Sequence, residues 1–130
     1  MRVQEKKFWQ LLINLLANMP DYIHKNLAQG KWLTMSLCEQ LGNVGSEVGR
    51  ATNWQKKGNL EQTKKALDRG LELLDFTIAD SRWSGARLKE LCRSRELLVD
   101  VFYGKNQYND SPEALEKYFF QYAVEARLGK

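Results

Sequence analysis

Histidine is nearly absent from the chain, which has one, His24, and proline and cysteine occur only twice each. A single imidazole in a short polar segment, without a spaced Cys or Ser partner, is read as a surface residue and not as the base of a catalytic triad. No Glu-x-x-His motif occurs, so a carboxylate-bridged di-iron bundle is excluded. Cys38 and Cys92 are too few and too far apart for a metal-ligand set and sit among apolar or small neighbours, where buried thiols are ordinary. No metal or cofactor is expected, nor is enzymatic chemistry. No apolar run approaches the ~20 residues a membrane span needs. The start, MRVQEKKFWQLLINLLANMPDY, puts basic residues before an apolar stretch, but Gln10, Asn14 and Asn18 interrupt it with helical period and no small-residue cleavage pattern follows. It reads as an amphipathic helix in a cytoplasmic protein.

What is present is helical. The 130 residues suit one domain, 1–130, able to bury a core without staples. Apolar positions recur at helical spacing and no alternating run is long enough for a strand. A first helix is expected over residues 4–18, with Phe8, Leu11, Leu12, Leu15 and Leu16 in its stripe. Pro20 opens a short segment that Gly30 closes. Longer helices follow from about Trp32 to Lys57, Leu60 to Ala79, Ser84 to Gly104 and Pro112 to Leu128. Gly58 and Asn59 supply a tight turn, and Ser111 followed by Pro112 is a helix start: a side-chain cap, then a proline whose missing N–H costs nothing there. Breaks this short favour antiparallel neighbours, so the expected fold is all-α: an antiparallel up-and-down four-helix bundle over 32–128, with an extra N-terminal helical segment over 1–31.

The stretch LGNVGSEVGRA, residues 41–51, crowds three glycines into eight positions. A phosphate-binding loop would need a preceding strand and, in the Walker type, a Lys-Ser/Thr pair, and neither is present. On a helix, Cys38, Gly42, Gly45 and Gly49 form a small-residue line beside the apolar line Leu37, Leu41, Val44, Val48 and Ala51. Each glycine costs a helix roughly 0.5–1 kcal/mol relative to alanine, so close packing must offset the loss. The Leu60 to Ala79 helix also carries two lines: Leu60, Leu67, Leu71, Leu74 and Ile78, flanked by Ala66, Gly70, Leu73 and Thr77. Surface beyond one stripe per helix predicts a homo-oligomer.

The net charge of +4 is mild, but its distribution is uneven. Arg50, Lys56, Lys57, Lys64 and Lys65 gather at the turn between the second and third long segments, with Trp54 among them as a stacking surface. These six are the candidate nucleic-acid-binding residues, although a basic helix end also suits the helix dipole. A second basic group, SRWSGARLKELCRSR, holds Arg82, Arg87, Lys89, Arg93 and Arg95. Arg95 falls within an apolar stripe, where an unpaired guanidinium would be very costly, and Glu47 is its expected partner in a structural ion pair. Glu72, Asp75, Glu90, Glu96 and Asp100 are expected mostly on solvent-facing arcs. Among the aromatics of the last helix, Phe120 points away from the main stripe, where packing against the N-terminal segment is the commoner outcome and a partner or subunit contact the other.

The hairpin SLCEQLGNVGSEVGRATNWQKKGNLEQTKKALDRGLELLDFTIAD resembles the four-helix-bundle family that contains the ribosomal-RNA intervening-sequence proteins and Avd, the accessory protein of diversity-generating retroelements. RLKELCRSRELLVDVFYG and SPEALEKYFFQYAVEAR are similar to later helices of such bundles, and the likeness covers about residues 33–128. The segment before Trp32 departs from the family's first helix. The resemblance implies a ring of subunits, commonly a pentamer, with a basic surface that engages RNA or DNA and a reverse transcriptase. The alternative kept beside it is a protein–protein adaptor without nucleic-acid binding.

Overall fold

A computed structural model describes residues 30–128, and the expected helix over 4–18 lies outside them. A 3-10 turn, Lys31–Thr34, precedes four helices: α1 (Leu37–Lys56), α2 (Leu60–Ala79), α3 (Ala86–Phe102) and α4 (Pro112–Leu128). The described residues contain no strand. The all-α bundle expected from the periodicity is the fold, and α1 is its hub, packed against both α2 and α4. Paired residues give the directions. Glu47 meets Arg69 while Gln40 meets Asp80, so α1 and α2 are antiparallel. Gly42 faces Ala123 and Gly45 faces Phe119, so α1 and α4 are antiparallel too.

The boundaries follow from local chemistry. Helix α1 starts at Leu37 and not near Trp32, because Ser36 and Glu39 form a reciprocal capping box: the Ser36 hydroxyl accepts from the Glu39 amide at 3.1 Å, and the Glu39 carboxylate accepts from the Ser36 amide at 3.1 Å. The α1–α2 hairpin closes through Gly58 at φ +75°, a conformation that favours glycine, and the Asn59 side chain caps α2 by accepting from the Gln62 amide. Gly85 precedes α3 at φ +61°, which moves that helix start to Ala86. Ser111 caps α4 through the Ala114 amide at 3.1 Å, as its sequence predicts.

The core joins Leu41, Val44, Val48 and Ala51 of α1 to Ala66, Leu67, Leu73, Leu74 and Ile78 of α2, with Leu88, Leu91 and Leu98 from α3 and Leu115 and Phe119 from α4. Leu60 departs from its expected stripe. It is 76% exposed, because it is the first residue of α2 and projects from the hairpin tip.

The glycine line is helix throughout, and its close contact is internal. A Cβ on Gly45 would lie 2.7 Å from the Phe119 Cβ, one on Gly42 3.2 Å from the Ala123 Cα, and one on Gly49 3.3 Å from a Glu116 carboxylate oxygen. The second line of α2 is likewise buried within the chain, with Gly70 against the Glu47 Cβ. Surface that the sequence assigned to a subunit contact is therefore covered inside one chain.

At the end of the bundle where α1 begins, a buried polar clasp fixes the incoming segment. Gln40, fully buried, donates to the Trp32 carbonyl at 2.8 Å and to Asp80 at 3.1 Å, and accepts from the Trp83 indole at 2.9 Å. The Trp32 indole donates to Thr77 at 3.2 Å. Arg82 donates to Asp80 at 2.7 Å and to the Met35 carbonyl at 2.7 Å. Buried polar groups persist only when such partners are complete.

Burial alone would push the Asp80 carboxyl up, but the hydrogen bonds from Arg82 and Gln40 outweigh it and hold the group below its usual range. A depressed folded-state value means stability that is present above the unfolded value and lost as pH falls through the folded one. Asp80→Asn is expected to cost about 2–3 kcal/mol at pH 7 and progressively less below about pH 4, read by urea unfolding. Gly45→Ala, despite its better helix propensity, is expected to cost about 1–3 kcal/mol in the same assay, since either Phe119 or α4 must move.

Candidate interaction surfaces

The hairpin end holds the residues singled out for nucleic acid, and the fold brings them together with carboxylates interleaved. Lys64 pairs with Asp68 at 3.0 Å, Lys65 with Glu61 at 3.4 Å, and Lys56 reaches across to Glu113 at the start of α4, 3.6 Å away. Arg50 pairs with Glu47. Lys57 lies over the half-buried Trp54 ring, 5.2 Å from its centre, and so occupies the face proposed for base stacking. Exposed pairs of this kind add little stability. They matter here because neighbouring opposite charges offset one another within the ~10 Å screening length, so Glu47, Glu61, Asp68 and Glu113 lower the positive excess of the tip, although Glu47 is shared with Arg69 and Lys57 has no carboxylate partner among the described residues. The sequence count of cations missed Glu113, which only the antiparallel placement of α4 brings to this end.

The expected Arg95–Glu47 pair does not form; each residue has another partner. Glu47, its side chain 7% exposed, accepts from Arg69 at 2.6 Å and from Arg50. Arg95 donates from Nε to Asp75 at 2.6 Å, with a second, longer contact of 3.4 Å from Nη2. Register explains the exchange. Along α2, Asp75 lies six residues beyond Arg69, so the two pairs are stacked more than a helical turn apart. Asp75, expected on a solvent-facing arc, is instead half-buried between α2 and α3.

Burial raises the Asp75 carboxyl above its ordinary value, and Arg95 offsets only part of the shift. A raised folded-state value means a contribution to stability that is full at low pH and lost as pH rises through it. Replacing Arg95 with Met removes the compensating charge. The deficit of that variant is expected to be about 1–3 kcal/mol at pH 7 and clearly smaller at pH 4, measured by urea unfolding at both values.

Further cations without a carboxylate partner lie on α3. Arg87, Lys89 and Arg93 are exposed on the first half of α3 without a carboxylate partner among the described residues, although Glu90 and Glu96 stand on the same helix. Arg82 and Arg87 flank the buried Trp83 ring at 4.6 and 5.7 Å. No group of three His, Cys, Asp or Glu side chains among the described residues could hold a metal ion, and no described helix is long and apolar enough to cross a membrane.

Helix α4 carries three of the exposed large apolar side chains among the described residues. Its inner side is seated on the α1 glycines through Phe119 and Ala123, and one edge reaches α3 by polar contacts, with the Tyr118 hydroxyl donating to Glu90 at 2.8 Å. Burial raises Tyr118 far above the ordinary phenol range, opposed by its hydrogen bond with Ser94 and reinforced by those with Tyr122 and Glu90, so it stays neutral. The opposite side faces outward: Phe120 is 61% exposed, Leu128 80% and Val124 37%. The outward direction of Phe120, expected from its position off the main stripe, is observed.

No family model matches the chain, and comparison with curated proteins and with solved structures likewise finds no significant similarity.

Proposed function

We propose that the protein works as a non-enzymatic interaction module whose contact surface is the outer side of α4. One observation carries this reading: Phe120, Val124 and Leu128 stand exposed on consecutive turns of a helix whose other side is tightly held. Exposed large apolar side chains at that spacing mark contact surfaces, and a rigid support lowers the entropy lost on binding. The carboxylates interleaved at the hairpin end lower its positive excess, which favours a protein partner over a polyanion.

A second reading, an accessory factor for RNA or DNA or for a reverse transcriptase in a pentameric ring, draws on the resemblance and on one observation, the unpaired Arg87, Lys89 and Arg93 of α3. A cytoplasmic location belongs to both readings. Titration with single-stranded RNA and with duplex DNA separates them. The leading reading predicts no salt-sensitive binding at low ionic strength, with the native chain and a Lys56, Lys57, Lys64, Lys65 to Gln variant behaving alike. Binding that weakens steeply with salt and falls in that variant, or in an Arg87, Lys89, Arg93 to Gln variant, would overturn it.

A further inference from the structure

The outer side of α4 carries an order of charge that specifies what covers it. Glu113, Phe120 and Arg127 are spaced by seven residues, so they lie on one line along the helix, drifting only ~20° per step. Lys117 and Val124 fall between them at offsets of four and three, completing the 4-3-4-3 spacing of a helix–helix seam. The line is acidic at the start of α4, aromatic in the middle and basic at the end. Glu113 has its side chain 57% exposed and only a loose 3.6 Å contact to Lys56. Arg127 is exposed with no ion-pair partner among the described residues.

Such a line complements itself when reversed. Placed antiparallel against an identical helix, with the two-fold axis passing at Phe120, it sets Glu113 level with Arg127 of the second copy, twice by symmetry. The two Phe120 rings meet on the axis. The Lys117 stem lies within one residue's rise of Val124 of the other copy, covering it while its ammonium reaches water. A parallel arrangement would instead oppose Glu113 to Glu113 and Arg127 to Arg127.

We infer that the outer line of α4 is a two-fold, antiparallel contact between two copies of this chain, centred on Phe120 and bracketed by Glu113–Arg127 pairs. The inference rests on the proposed reading of α4 as a contact surface and names its partner. The seam is four turns long, about 21 Å, and a single helix face covers less than the ~800 Å² per partner of a standard interface. The dimer is therefore weak, with a dissociation constant on the order of 10–100 μM.

Sedimentation velocity on the full chain from about 1 to 500 μM tests it, with circular dichroism showing that each variant keeps its helix content. The native chain is expected to pass reversibly from monomer to dimer across that range, and Phe120→Ser to remain monomeric. Glu113→Arg alone and Arg127→Glu alone should each weaken dimerisation about tenfold, since two attractive pairs become two repulsive ones. The double exchange should restore it to within about threefold of the native chain. Phe120→Cys should form an intermolecular disulfide under mild oxidation that the native chain, with Cys38 and Cys92 alone, does not form. A native monomer at 500 μM overturns the inference, as does an assembly indifferent to Phe120→Ser or a double exchange that fails to rescue. These failures are distinct from that of the proposed function, which falls to salt-sensitive polyanion binding whether or not a dimer forms.

Discussion

The close approach of α1 and α4 is the contact from which the rest of the molecule is arranged. Gly42, Gly45 and Gly49 present no side chains, so the α4 backbone sits where a single added methyl at Gly45 would overlap Phe119. Three glycines in one helix cost on the order of 2 kcal/mol in propensity. The return is a fixed α4, with Phe119 fully buried and its neighbour Phe120 turned outward by the helical step of ~100°. The contact surface proposed for the protein thus follows from an internal packing choice in α1.

The polar groups obey the same geometry. Helix register places Asp75 beside Arg95, Glu47 beside Arg69 and Gln40 beside Asp80, one level after another along α2. Each level joins two elements through a largely buried or half-buried acceptor. Such contacts add little net stability compared with apolar replacements, but leaving one partner alone is costly, which makes a slipped register expensive. The clasp around Gln40 extends this logic to residues 32–36, which it ties to the C-terminal end of α2 and to Trp83.

Much of this architecture is legible in the residues. The glycine line, the Gly58–Asn59 turn and the Ser111–Pro112 start are local features whose physics is decided within a few positions, and they appear where the sequence places them. Ser36 and Glu39 were also legible, as a capping box, but the apolar Trp32 and Leu33 drew the expected helix start upstream. The ion pairs were not, because they depend on which residues share a level across different helices, a tertiary quantity. The same ignorance left a carboxylate out of the count at the basic hairpin end: Glu113 is 57 residues from Lys56 in sequence and 3.6 Å from it in space. It likewise turned surplus apolar lines into expected subunit contacts, although α1 and α2 use them within the chain. Phe120 was the residue whose exposure the helical pattern alone could forecast.

The account depends on α4 burying its α1-facing side while, among the described residues, the side bearing Phe120 stays open, so that adjacent phenylalanines see opposite surroundings. Hydroxyl-radical footprinting of the dilute, monomeric chain, read residue by residue by mass spectrometry, measures that directly. Rapid oxidation of Phe120 and Leu128 beside strong protection of Phe119 is the predicted result. Equal protection of Phe119 and Phe120 in the dilute protein would contradict it.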